Sequence, residues 1–174
     1  MSLLDDEDVL VNDNFPLYFQ RFCERVVEPF YTHIRNMRYY YSHAVACCAV
    51  PPENMERFAN ELKKEYGALT IDCTCLSEEV LNKKLLGMRS SVLLLYNIFE
   101  LPRNIYTILV DRVMRIAFRH DLLIIIADIC EEEKKFSPGD IVIRLDEIAP
   151  CIFISPYSND KCIYYGNISN PNDI

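Results

Sequence analysis

The chain has no tryptophan and only four glycines, Gly67, Gly87, Gly139 and Gly166, each isolated from the others. A backbone loop that cradles phosphate needs clustered glycines, so neither a P-loop nor a dinucleotide fingerprint can be assembled here. Cysteine is plentiful but never in the paired Cys-x-x-Cys spacing of structural zinc sites. The longest strongly apolar run, Ser91–Phe99, is far short of the ~20 residues that a membrane-spanning helix requires. Cationic charge is also scarce: 18 Lys and Arg stand against 26 Asp and Glu, for a net charge of −8. That balance argues against a broad nucleic-acid footprint, which depends on neutralising phosphates. No cofactor is expected.

What remains is an ordinary globular composition. Hydrophobic residues make up 51% of the 174 and charged residues 25%, enough apolar material for one well-filled domain and too much for a disordered chain. Residues 1–13, with Asp5, Asp6, Glu7 and Asp8, read as an acidic flexible leader. Residues 14–165 read as a single globular domain and 166–174 as a flexible polar tail. The acidic start has neither the basic n-region nor the apolar h-region of a secretory signal. Most of the eight cysteines lie inside apolar runs. Reduced, buried thiols in the nucleus or cytoplasm follow from that usage.

Phe15, Phe19, Phe22, Val26, Phe30 and His33 recur at steps of three and four, which predicts an amphipathic helix over 15–36. Pro29 should kink or interrupt it. Ala44–Val50 is a continuous apolar run closed by Pro51 and Pro52, the pattern of a strand covered on both faces. Residues 53–66 place Met55, Phe58, Ala59, Leu62 and Tyr66 on one helical stripe. Glu53 and Glu56 open that helix, and Lys63, Lys64 and Gly67 close it. Leu69–Cys75 alternates apolar and polar residues and predicts a second strand, giving a β-α-β unit with room for a right-handed crossover. Ser77 is placed to cap a helix over 78–99, and a further helix follows Pro102 over 103–119. Strands are predicted at 122–127, 141–145, 151–154 and 162–165, the last two as a hairpin. The fold class is α+β or α/β: a mixed sheet of five to six short strands packed against about four helices.

Candidate chemistry is sparse. Cys73 and Cys75 lie two apart on the predicted second strand, so both thiols would face one side, where Cys47, Cys48 or His43 could join them. Without paired ligand spacing no metal site is assigned. Cys75 is the best-placed nucleophile because it just precedes the helix start at Ser77, and a helix N-terminus favours a thiolate. Nothing in the sequence brings His33, His43 or His120 beside it. Asp72 and Asp128 stand at or near strand ends, where α/β enzymes carry function, but acids are electrostatically comfortable there in any case. No catalytic residue is assigned. Arg112, Arg115 and Arg119 recur at i, i+3 and i+7 on one helix, and Tyr39, Tyr40 and Tyr41 follow the first helix. Arg and Tyr are favoured at protein interfaces, so these six residues form the expected partner-binding set.

The segment Phe136–Arg144 reads Phe-Ser-Pro-Gly-Asp-Ile-Val-Ile-Arg, a turn thrown directly into a β-branched strand. With the strands around it, residues 122–165 resemble OB-type β-barrels such as those of telomere single-strand binders. The resemblance implies a small barrel with aromatic platforms, for which Phe153, Tyr157, Tyr164 and Tyr165 are available. Only Arg144 and Lys161 accompany them, so it implies a barrel that binds proteins of such a complex. The expected function is a non-catalytic interaction subunit, an adaptor or scaffold, of an intracellular multiprotein complex that is chromosome- or telomere-associated. Alternatives are a viral or host-defence antagonist that sequesters a partner protein, and a small enzyme using Cys75, Asp72 or Asp128. Protein partners are expected, with nucleic acid not a major direct ligand and no membrane.

Overall fold

The computed structural model describes residues 15–36, 41–50, 52–98, 101–128, 151–154 and 163–165. Helix α1 (Phe15–Phe22) passes through a π-helical turn (Cys23–Val27) into α2 (Glu28–Asn36). Strands and helices then alternate: β1 (His43–Ala49), α3 (Pro52–Tyr66), β2 (Leu69–Asp72), α4 (Glu78–Leu85), β3 (Val92–Tyr96), α5 (Arg103–Ala117) and β4 (Leu122–Asp128). Strands β5 (Cys151–Ile154) and β6 (Ile163–Tyr165) follow.

The sheet order is β2-β3-β4-β1-β5-β6. Its core is a four-stranded parallel sheet, β2-β3-β4-β1, alternating with helices in a Rossmann-like α/β arrangement. Strand β5 adds to β1 in parallel, and β6 pairs with β5 antiparallel. From β1 the chain crosses three positions to reach β2, then steps back one strand at a time to β3 and β4. Crossovers of one handedness that run in opposite directions must lie on opposite faces. The packing agrees: α1, α2 and α3 cover one face of the sheet, and α4 and α5 cover the other.

The two faces are filled by different means. Toward α1–α3 the sheet offers Ala44, Ala46 and Ala127 beside Val92, Leu94, Leu123 and Ile125, and the helices answer with Phe15, Tyr18, Phe22, Phe30 and Phe58. The alanines leave room for large side chains from the helical layer. Phe58 is the hub, edge-on to Phe22 at 5.0 Å and to Phe19 at 6.0 Å. Toward α4 and α5 both layers are aliphatic, with Leu93, Leu95, Ile124 and Ile126 against Leu109, Val110, Val113 and Met114.

The α-helix is interrupted just before Pro29, by the π-helical turn Cys23–Val27. Proline has no N–H to give the carbonyl four residues back. In the widened turn the Glu28 N–H reaches the Cys23 carbonyl, a five-residue step, and the helix resumes.

Three expectations need correction. The helix over 78–99 is two elements. Ser77 does cap α4, its Oγ accepting the Val80 N–H at 3.2 Å, but the helix ends at Leu85 and Gly87 takes φ +72°. The Leu-rich run then forms β3, whose residues Val92–Leu95 are fully buried. A run apolar on all sides fits a two-face-buried strand as well as a central helix, and periodicity does not separate them. Second, β1 and β2 belong to one sheet but are not neighbours, since β3 and β4 lie between them. Third, the OB-type resemblance is overturned. Leu122–Asp128 is a central parallel strand between β3 and β1, which an antiparallel barrel cannot contain. The Pro-Gly-Asp turn, the strand at 141–145, the acidic leader and the polar tail lie outside the described residues.

Helix α3 closes on Gly67 at φ +63°. The Gly67 N–H donates to the Lys63 carbonyl at 2.9 Å, the single bond of an αL stop, and the Ala68 N–H reaches the Leu62 carbonyl at 3.5 Å. No atom would meet an added Cβ there, so only backbone conformation opposes substitution. Gly67→Ala is expected to destabilise the fold by ~1 kcal/mol, read as a lower urea midpoint with unchanged slope.

Candidate functional site

A parallel sheet covered on both faces leaves polar chemistry only its two ends. At the carboxyl end of the strands, the loops after β2 and β3 are tied together by Asp72. Its Oδ1 accepts the Thr74 N–H at 2.9 Å and the Asn97 Nδ2–H at 3.0 Å. Burial pushes this carboxyl up. The Thr74 N–H, the Asn97 carboxamide, the Thr74 hydroxyl and the charge of Lys84 outweigh that and hold it below the usual carboxylate range. Asn97 sits at φ +59° and Cys75 at φ +55°, left-handed conformations unusual outside glycine. Asn tolerates that region because its short amide bonds locally, as it does here to Asp72.

Around this pair lies a pocket of about 400 Å³. Helix α3 contributes Met55, Glu56, Ala59 and Asn60; β2 and β3 contribute Thr70, Asp72, Tyr96 and Asn97. Met55 and Ala59 are buried and form the apolar floor. Burial, then the charges of Asp72 and Glu56, push the Tyr96 phenol up, so it stays protonated.

The turn from β1 into α3 is Val50-Pro51-Pro52-Glu53. In a nucleotide-binding α/β sheet the first strand-to-helix turn supplies N–H groups to phosphate. Here two prolines have none, and Glu53 adds a negative charge in the first turn of α3.

A second cleft of about 440 Å³ separates the α1–π–α2 arm from α3. Phe15, Phe19, Cys23 and Tyr66 line it with Glu24, Glu28, Glu61, Glu65 and Arg57. The Arg57 guanidinium lies 4.6 Å from the Phe15 ring centroid, and Tyr66 Oη–H donates to Glu28 Oε1 at 2.9 Å. Burial pushes the Cys23 thiol up to about 11, so it is not a nucleophile at neutral pH.

The amino end of the strands is built differently. The Ser42 N–H donates to Asp121 Oδ1 at 2.8 Å, and His43 Nε2–H donates to the Ala117 carbonyl at 2.7 Å. A carbonyl only accepts, which fixes the His43 tautomer and leaves a buried Nδ1 with no partner among the described residues. Just beyond, Phe118 is 64% and Tyr41 47% exposed.

The six expected interface residues do not form one surface. Arg112 is committed within the fold: its Nε donates to Asn82 Oδ1 at 2.8 Å, and its guanidinium lies 4.0 Å from Glu78. It holds α5 to α4. Arg115 and Arg119 are exposed, as is Tyr41; Tyr39 and Tyr40 lie outside the described residues. Of the enzymatic candidates, Cys75 is exposed on a turn after β2 ends, while Cys73 is buried, so the two thiols do not share a face. Strand alternation stops at Asp72, before it can align them. No group of three metal ligands occurs among the described residues. Asp128 ends β4 beside Ala49 of β1. Sequence reasoning passed over Asn97, Tyr96 and Asn60. The readable signal was an Asn closing an apolar run, hidden because that run was read as helix.

Burial pushes His43 below the ordinary histidine range against the opposing effects of the Ala117 carbonyl, Asp121 and the His120 backbone. His33 is lowered too, by burial against Asp121. A base whose folded pKa is depressed binds its proton better when unfolded. Stability is therefore full above the unfolded value of ~6.5 and falls as pH drops through it toward the folded value. The urea midpoint is expected to fall between pH 7 and pH 5, and His43→Gln to flatten much of that slope, with His33 supplying the remainder.

No known protein family matches the chain, and no curated protein is similar enough to it to count as a relative.

Proposed function

We propose that the chain is a non-catalytic interaction subunit of an intracellular multiprotein complex. It docks through the end of α5: Arg115, Phe118 and Arg119, with Tyr41 at the same end of the sheet. The single observation behind this reading is Phe118, a large ring left 64% exposed at a helix end that also carries the exposed Arg115 and Arg119. Arg115 and Phe118, three apart, are neighbours at the helix end, and Arg119 follows Phe118 in the turn that closes it. An aromatic anchor flanked by arginines is the composition of an interface hot spot. The chemistry it fits is a partner segment with an apolar pocket for the ring and carboxylates for the arginines.

The scaffold supports a binding role over nucleotide chemistry, because two prolines in the Val50–Glu53 segment withhold N–H donors from phosphate and Glu53 adds a negative charge. The telomere association loses its argument together with the barrel on which it rested. The described helices give no alternative membrane role, none being long and apolar enough to cross a bilayer.

The test is affinity purification of the tagged chain from its native cells, beside a variant carrying Arg115→Glu, Phe118→Ala and Arg119→Glu. A stoichiometric partner set should accompany the wild type and drop at least about tenfold with the variant, while the melting temperature stays put. Recovery of the wild type alone would reject the subunit reading. Partners kept by a folded variant would reject this surface.

A further inference from the structure

The carboxyl-end pocket is chemically unlike the α5 surface and stands apart from the docking role. Its lining holds two carboxylates, Glu56 and Asp72, two carboxamides, Asn60 and Asn97, and two hydroxyls, Thr70 and Tyr96. No lysine or arginine lines it; Lys84 acts on Asp72 from α4, outside the lining. The floor is apolar, from Met55 and Ala59. At about 400 Å³ it falls at the small-ligand end of the usual range of ~300–1,000 Å³. It also lies outside the carboxyl ends of parallel strands, where open α/β sheets bind ligands.

We propose that this pocket binds a neutral sugar through a pair of adjacent hydroxyl groups. The lining dictates the class. A carboxylate has about four acceptor positions, and Asp72 uses three of them on the Thr74 N–H, the Thr74 hydroxyl and the Asn97 amide. The one that remains can accept from a sugar hydroxyl, beside the carboxylate of Glu56. The Asn97 amide, with one N–H committed to Asp72, is held in orientation and keeps a second N–H and a carbonyl for the ligand. Hydroxyls both donate and accept, which matches a lining that mixes acceptors with amides and hydroxyls. The C–H face of the ring rests on Met55, Ala59 and the Tyr96 ring. Two carboxylates without a lining cation repel a phosphate ester. An amine would need the charges but would leave the amides and hydroxyls without directional partners.

The arrangement is preformed. Asn97 is fixed in a left-handed conformation and bonded to Asp72 before any ligand arrives. Preorganised polar groups lower the ordering cost of binding.

The experiment is a titration of the full chain by two-dimensional amide NMR with ribose, glucose and mannose, each to about 50 mM, beside their phosphate esters and spermidine. At least one neutral sugar should give saturable shifts at residues 70–74 and 96–97 with a millimolar-range Kd. Its phosphate ester should bind at least about tenfold more weakly. Asp72→Asn should weaken binding at least about tenfold. Asn97→Gly keeps the left-handed backbone without strain and removes only the amide, so the fold should survive and binding fall. No saturable response to any neutral sugar would overturn the proposal. So would equal binding of the phosphate ester, a response to spermidine alone, or sugar binding unchanged in a folded Asn97→Gly variant.

Discussion

The structure depends on burying a parallel sheet on both faces. In the centre of the sheet, Leu122–Ala127 has no solvent exposure, and its neighbours Val92–Leu95 and Ala44–Ala46 have none either. Such strands cannot carry a polar side chain in their bodies without leaving a dipole unsatisfied. Two helical layers must cover them, and the chain supplies those layers by crossing once in one direction and twice back. One face takes an aromatic layer, Phe22 and Phe58 among it, over a sheet surface that mixes Ala44, Ala46 and Ala127 with Leu94, Leu123 and Ile125.

The same constraint sends chemistry to the ends of the strands, and the two ends differ in kind. At the amino end, polar groups serve the fold. Ser42 and His43 each bond back to the α5–β4 connection, and the surface outside them is aromatic and basic. At the carboxyl end, Asp72 joins two loops and opens onto a cavity rich in hydrogen-bonding groups. The proposed macromolecular partner would meet the exposed aromatic end, and the proposed neutral ligand the concave polar end. One protein can hold both without conflict, because the buried sheet separates them.

Sequence alone left the class open between α+β and α/β, but single elements were legible where local chemistry is decisive. Ser77 announces the start of α4, and the Lys63–Gly67 run announces the end of α3. The apolar run at 44–50 identified β1 because its prolines allow no helix to continue through it. Failure came where two structures share one pattern. Val92–Tyr96 is apolar throughout, so nothing in its periodicity distinguished a buried strand from a buried helix, and the misreading hid Asn97 with it. Asp72 was noticed from its place at a strand end, but its partner lies 25 residues away in another loop. Arg112 looked like part of an exposed stripe because helical spacing says nothing of the neighbouring helix that claims it. The barrel resemblance failed for a related reason: short β-branched strands after tight turns occur in many folds, and pairing direction is not written in them.

The scarcity of glycine bears directly on what the carboxyl end can do. Phosphate-binding α/β sheets let the backbone approach the ligand by placing glycines in the first turn. This chain puts Pro51 and Pro52 there, which removes two backbone donors and shifts the weight of recognition to side chains. The left-handed positions near the pocket are correspondingly occupied by Cys75 and Asn97, at a conformational cost of ~1–2 kcal/mol each that glycine would avoid. For Asn97 the cost has a visible return in the bond to Asp72, which fixes both side chains toward one cavity. A left-handed Asn with its amide engaged does what glycine could not do there, which is to place a carboxamide beside Asp72. Side-chain recognition by acids, amides and hydroxyls favours hydroxyl-bearing ligands over phosphates, and so the missing glycines and the composition of the pocket lead to the same ligand class.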